Sequence, residues 1–214
     1  TLVHLAFGGL LAAALLPRLG GRSLAVVLAA VALPDLDTFL GLAIEGGHRA
    51  LLHTVLLPLL LGALVVYDVR REGSWLRGRY GPDGPRVAGV AVAAMLLAGI
   101  GPDLFTNGVN VLYPLHDQFY RIRGELLLSN QRGVVQTFVD LSPPDPSGGT
   151  GGGAESGAVG STQEVHYQTG VDPQKGTEPA AVERTFYVLQ SGRDLLLVLV
   201  SAVVVGTRLR EDRD

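Results

Sequence analysis

The chain has no cysteine among its 214 residues, and a single methionine, a single tryptophan and a single lysine, Lys175. Without thiols it can form no disulfide scaffold, no iron–sulfur centre on thiolates and no thiolate zinc site. The same absence carries no information on redox compartment. Charge is also scarce: Asp, Glu, Lys and Arg make up 17% of the residues, below the roughly 25% of soluble domains. A net charge of −3 and the lack of a basic run argue against a nucleic-acid footprint. No internal repeat, Gly-rich phosphate loop, Gly-x-Ser-x-Gly elbow or His-Glu-x-x-His pair occurs.

Apolar residues are plentiful, with a mean hydropathy of +0.32, and they fall in blocks without strand-like alternation. Leu51–Val69 is apolar but for His53, Thr54, Tyr67 and Asp68 near its ends, and its length matches a hydrocarbon layer of roughly 30 Å. Val87–Phe105 is a second block, interrupted by Gly99, Gly101 and Pro102. Leu2–Leu16 and Ser23–Leu33 are shorter, and Leu195–Val205 is the last. Leu2–Leu16 reads as a retained helix rather than a cleaved leader, because no cation precedes it and several spans follow. The expected fold is an all-α polytopic membrane bundle of four to five helices. A small β-element and a disordered loop are expected before the last helix.

These expectations divide the chain. Residues 1–123 form a membrane-embedded helical domain with a metal site, and 124–142 a strand-like segment. Residues 143–180 form a disordered Gly/Pro/Ser-rich loop that cannot bury enough apolar surface to order itself. Residues 181–192 form a second strand-like segment, and 193–214 a transmembrane helix with an Arg-rich tail. Val134–Leu141 and Arg184–Gln190 mix β-branched and aromatic residues and are predicted to pair.

Arginine sets the sidedness. The 70–86 loop carries Arg70, Arg71, Arg77, Arg79 and Arg86, with Trp75 and Tyr80 as interface anchors. Placed in the cytoplasm, it brings the 17–22 turn and the C-terminal tail to the same side, in a cell or inner membrane. The 34–50 loop and the long 106–193 segment then face the non-cytoplasmic side. His4, Asp35, Asp37, His48, His53 and Asp103 all lie at that second face.

Those six residues carry the candidate chemistry. In Pro34-Asp35-Leu36-Asp37, carboxylates at i and i+2 are about 200° apart on a helix but share a side in extended chain. Pro34 disfavours helix at Leu33, which predicts a break there. His48 and His53 cannot face one ion from a single helix, but converge if His48 sits in the turn after Gly46-Gly47 and His53 on the first helical turn. Asp103 ends an apolar span, where an ionisable group marks a functional site by default. Singly, each has an ordinary explanation: a helix-ending turn with solvated acids, an interfacial histidine pair, a packed histidine. Together they form an oxygen and nitrogen donor set suited to Zn²⁺, Mn²⁺ or Fe, one or two ions. Arg49 is a candidate clamp for an anion, or a partner of Asp35 or Asp37. His116 is a further candidate to reach the site, and His166, in the loop, is read as incidental.

The order His4, Pro34-Asp35-x-Asp37, His48-Arg49-x-x-x-His53-Thr54, Asp103-x-x-Thr106 with Tyr113-Pro114 behind it resembles a known family. It is similar to the membrane-bound metal-dependent hydrolases that include the LexA-regulated inner-membrane protein of enteric bacteria. These are related in motif to the zinc-dependent phospholipase C and P1-nuclease group. The likeness spans about residues 1–115. It implies that His4, Asp35, Asp37, His48, His53 and Asp103 are metal ligands, and that the activity is phosphoester hydrolysis by metal-activated water. Asp35, Asp37, Arg49 and His53 are the catalytic candidates. The family usually has His four residues before the last Asp, where this chain has Gly99. A site at helix ends near the interface suggests membrane lipid, a phospholipid or a lipid-linked phosphate, as substrate. The alternatives are a non-catalytic membrane protein with a structural metal or polar site, and an interaction scaffold acting through 124–190. A transport path is disfavoured, because only Pro58 and Gly62 interrupt the apolar run between Thr54 and Tyr67.

Overall fold

The computed structural model describes residues 2–42, 47–138, 157–174 and 181–212. Helix α1 (Leu2–Leu15) is followed by α2 (Gly21–Ala32), a 3-10 turn (Pro34–Leu36) and the short α3 (Asp37–Leu40). The predicted break falls at Leu33, but it is not extended, since Leu33 has φ −57° and ψ −44°. Pro34 instead occupies the first position of a new helical turn, where its missing N–H costs little. The chain stays helical and bends by 47° between the two segments. The Asp35/Asp37 pair therefore sits on a helical turn rather than on extended chain.

Helix α4 (Leu56–Arg70) begins later than the apolar block Leu51–Val69, because residues 51–53 form a turn. Val55 N–H and Thr54 Oγ1 both donate to the Val111 carbonyl, which pins the start of α4. At 1.5 Å per residue α4 is about 22 Å long, short of the roughly 30 Å hydrocarbon layer. After α5 (Trp75–Tyr80), helix α6 (Gly84–Ala94) runs through a π-helical turn (Met95–Ile100) into α7 (Gly101–Thr106). Pro102 has no N–H to give to the preceding turn, and the wider π turn absorbs that interruption. Gly84–Thr106 is one continuous helix of 23 residues. Among the described residues it alone is long and apolar enough to cross a membrane unaided, and the bent pair of α2 and α3 passes the same test if taken as one span.

The helices bury small residues and expose large ones. Ala12, Val27, Val31, Ala94 and Ala98 are fully buried, whereas Leu59 and Leu60 are about 60% exposed. Close backbone approach through small residues is how helices pack where the surroundings are as apolar as leucine. The last helix, α8 (Gly192–Glu211), packs on α1, where Ser201 Oγ donates to the Ala6 carbonyl at 2.7 Å. At the far end of α1, Arg86 and Arg208 donate to the carbonyls of Leu15 and Leu16. Those helix-end carbonyls would otherwise lack partners. Arg86 of the 70–86 loop and Arg208 of the tail thus meet at one end of the helices.

Two small sheets lie between α7 and α8. Strand β1 (Phe119–Arg121) pairs antiparallel with β4 (Gly157–Gly160), and β2 (Leu126–Ser129) forms a hairpin with β3 (Gly133–Gln136). Among the described residues the predicted pairing of Val134–Leu141 with Arg184–Gln190 is replaced by these two; residues 139–141 lie outside them. Residues 184–190 form no strand; Arg184 instead donates to the Gly170 and Val171 carbonyls, and the Phe186 ring packs on Gly170. Of the segment expected to be disordered, 157–174 carries β4 and an ordered run. The rest of it, 143–156 and 175–180, lies outside the described residues.

Candidate metal centre

The cluster forms at the end of the helices opposite the arginines. His4 comes from the first turn of α1, Asp35 and Asp37 from the bend after α2, and Asp103 from α7. His48, Arg49 and His53 come from the turns before α4 rather than from the helix itself. Every residue of the predicted set is thereby gathered at one place. Asp37 and His53 are fully buried, and His4 and Asp103 nearly so.

The set divides into two layers. Toward the interior, Asp37 accepts from His48 Nδ1 at 2.8 Å, from His53 Nδ1 at 2.9 Å and from the Leu52 N–H. Both its oxygens are engaged, and His53 is held by them in a fixed orientation. The other ring nitrogen, His53 Nε2, lies 3.1 Å from Asp103 Oδ2 and 3.6 Å from Asp35 Oδ1. His4 closes the group, with Nδ1 3.7 Å from Asp35 Oδ1 and Nε2 3.6 Å from Asp103 Oδ1.

His4, Asp35 and Asp103 each offer a ligand atom, and these atoms lie within 4.8 Å of one another. His4 Nδ1 is buried without a hydrogen-bond partner, as expected of a nitrogen whose partner is not a protein group. Imidazole and carboxylate donors in this number fit Zn²⁺, Mn²⁺ or Fe. A carboxylate behind a ligand histidine is the usual outer partner in such sites, and Asp37 stands in that position behind His53.

Charge supports the same reading. Three carboxylates face the site, with Arg49 as the cation beside them, its Nη2 3.0 Å from Asp103 Oδ1. Arg49 thus pairs with Asp103 rather than with Asp35 or Asp37. Burial works against a charged His53, but the carboxylates of Asp103, Asp35 and Asp37 outweigh it and push its pKa up to about 10. Arg49 has φ 62°, a left-handed conformation that costs a non-glycine residue on the order of 1–3 kcal/mol. Its Nε and Nη1 are buried without partners.

His116 is not part of the cluster: it is exposed and meets the Tyr120 hydroxyl at 3.0 Å. His166 lies 3.8 Å from Asp172 in the ordered run of the 157–174 segment. The residue that sequence reasoning missed is Tyr167, whose ring lies 4.9 Å from the Arg49 guanidinium. The one signal for it is that Tyr167 is the sole Phe, Trp or Tyr within 143–180.

Residues 1–159 match the family described as YdjM inner membrane protein. The chain belongs to this family. No curated protein and no solved structure matches it. The match to the YdjM inner membrane protein family takes in every member of the His/Asp cluster, and Tyr167 and α8 lie beyond it. Gly99, where the resemblance leads one to expect histidine, is also explained by packing. A Cβ there would stand 2.8 Å from the Val31 carbonyl oxygen and 3.3 Å from Pro34. The π turn presses its backbone onto the end of α2, so no side chain fits at this position in this chain.

Proposed function

We propose that this member of the YdjM inner membrane protein family is a polytopic, metal-dependent hydrolase of phosphoesters. Its substrate is a phospholipid or a lipid-linked phosphate, and its site opens on the non-cytoplasmic face. The observation that carries the reading is the convergence of His4, Asp35 and Asp103 beside Arg49, whose two buried N–H groups have no partner. A divalent ion held by His4, Asp35, His53 and Asp103 would supply Lewis acidity toward water and a phosphoryl oxygen.

The chain's own residues do the remaining work. Arg49, with Nη2 on Asp103, offers the unpartnered Nη1 to an anion as a charge-assisted donor for a phosphate oxygen. Asp37, with both oxygens engaged, fixes the His53 ring and the proton on its Nδ1. Burial of His53 and Asp103 keeps bulk water from competing for these groups, which strengthens each electrostatic contact.

A second reading rests on the Arg49–Asp103 ion pair: the cluster is then a self-neutralising polar site or a structural metal site without turnover. Metal content per chain separates the two, measured by plasma mass spectrometry on detergent-purified protein beside an Asp35→Asn/Asp37→Asn double variant. One or two zinc, manganese or iron ions per chain, lost in the variant, together with turnover in a phosphoester screen, is the result expected. An empty wild type that stays empty after reconstitution with zinc and manganese would overturn the hydrolase reading.

A further inference from the structure

Tyr167 connects the cluster to a part of the chain beyond the family match. Its ring lies under the Arg49 guanidinium, 4.9 Å from centroid to Cζ, and meets the His48 ring edge-on at 6.5 Å. Its hydroxyl donates to the Asn107 carbonyl at 2.8 Å, and the Phe119 ring packs edge-on against it at 5.4 Å. The segment that carries Tyr167 is itself fastened. Thr162 donates to Asp117 through both its N–H and its hydroxyl, and Asp117 also accepts from the Asn110 side chain at 2.6 Å. The Asn110 N–H in turn donates to the Arg49 carbonyl at 3.0 Å. Arg49 is therefore gripped at both ends: its strained backbone by Asn110, its guanidinium by Asp103 and the Tyr167 ring.

We propose that Tyr167 is a positioning residue that completes an anion subsite at Arg49, holding the guanidinium so that the unpartnered Nη1 faces a phosphate group. The inference rests on the phosphoester reading above and names a residue that the family match does not include. An aromatic face orients a guanidinium without using any of its hydrogen-bond donors. That leaves the donors for a ligand, whereas a second carboxylate in this position would have consumed them.

The test uses the zinc-reconstituted full chain in detergent, with inorganic phosphate as the probe and calorimetric binding as the readout. Zinc content and melting temperature are measured on each sample. Y167A is expected to weaken phosphate binding about thirtyfold, the size of a desolvated cation–π contact, with zinc content unchanged. Y167F and Y167W, which keep the ring, should bind within about threefold of wild type. R49Q should lose at least as much as Y167A, and the double variant should lose no more than R49Q alone. If Y167A is too unstable to purify, Y167L, which keeps apolar bulk without a π face, takes its place. Phosphate binding by Y167A or Y167L equal to wild type overturns the proposal and leaves the hydrolase reading standing. Losses at Tyr167 and Arg49 that simply add would also overturn it, because the two residues would then act separately. A wild type that binds no phosphate while holding zinc would overturn both readings.

Discussion

His53 has carboxylates at both of its ring nitrogens, and this decides how the site responds to pH. In metal-free protein its pKa is raised from 6.5 to about 10, so its charged contacts stabilise the fold fully below about pH 6.5. That stabilisation is lost as the pH climbs to about 10. A metal requires Nε2 without its proton, so loading becomes stronger over the same interval. The melting temperature of metal-free protein is therefore expected to fall from pH 6.5 to 10 while the increment added by zinc grows. A zinc increment that shrinks as pH rises would contradict the assignment of Nε2 as a ligand. Asp37 and Asp35 should also part company on substitution. Asp37→Asn loosens the support of His53 and should weaken zinc binding about 10–100-fold. Asp35→Asn removes a ligand and should abolish both stoichiometric zinc and hydrolysis while membrane insertion is kept, as should His53→Ala. Competition titration with a zinc chelator distinguishes the two grades of loss.

At the level of elements, the crossing of the π turn over α2 depends on Gly99. Gly99→Ala brings a methyl group to 2.8 Å from the Val31 carbonyl, and overpacking of this kind costs about 1–3 kcal/mol. Gly99→His, although it restores the pattern of the resembled family, should be less stable still and bind no additional zinc. Thermal unfolding and metal content together check this. The His/Asp set and the odd glycine were legible in the sequence because charged groups at the ends of apolar runs have few ordinary reasons to be there. The break at Pro34 was legible as well, but not its helical form, since a proline that ends one helical turn can equally begin the next, and only packing chooses. The pairing of β1 with Gly157–Gly160 was hidden for a different reason. That strand has two glycines and little intrinsic β preference, and it is held by Gln118 Nε2 donating to the Gly160 carbonyl. Arg184–Gln190 has the composition of a strand, yet its partners lie in the Gly170 turn. Tyr167 escaped because nothing local to a polar, glycine-rich stretch reveals which side chain it will meet.

For the whole molecule, the two ends of the helices differ in chemistry: arginines and helix carbonyls at one, histidines and carboxylates at the other. Because the chain has no cysteine, single cysteines report sidedness without background. Leu115→Cys, at a position 79% exposed on the cluster's side, should react with a membrane-impermeant maleimide in intact cells. Arg77→Cys should react only after the membrane is opened. The reverse pattern would invert the proposed topology, and labelling of both in intact cells would argue against spanning helices. The seating of α8 on α1 also has a consequence in time. During synthesis the helix that bears His4 emerges well before α8, its packing partner, so Ala6 and Leu19 wait for Ser201 and Asp212. The cluster can gather its Asp and His side chains early, but the helix carrying its first histidine is secured only once α8 has followed.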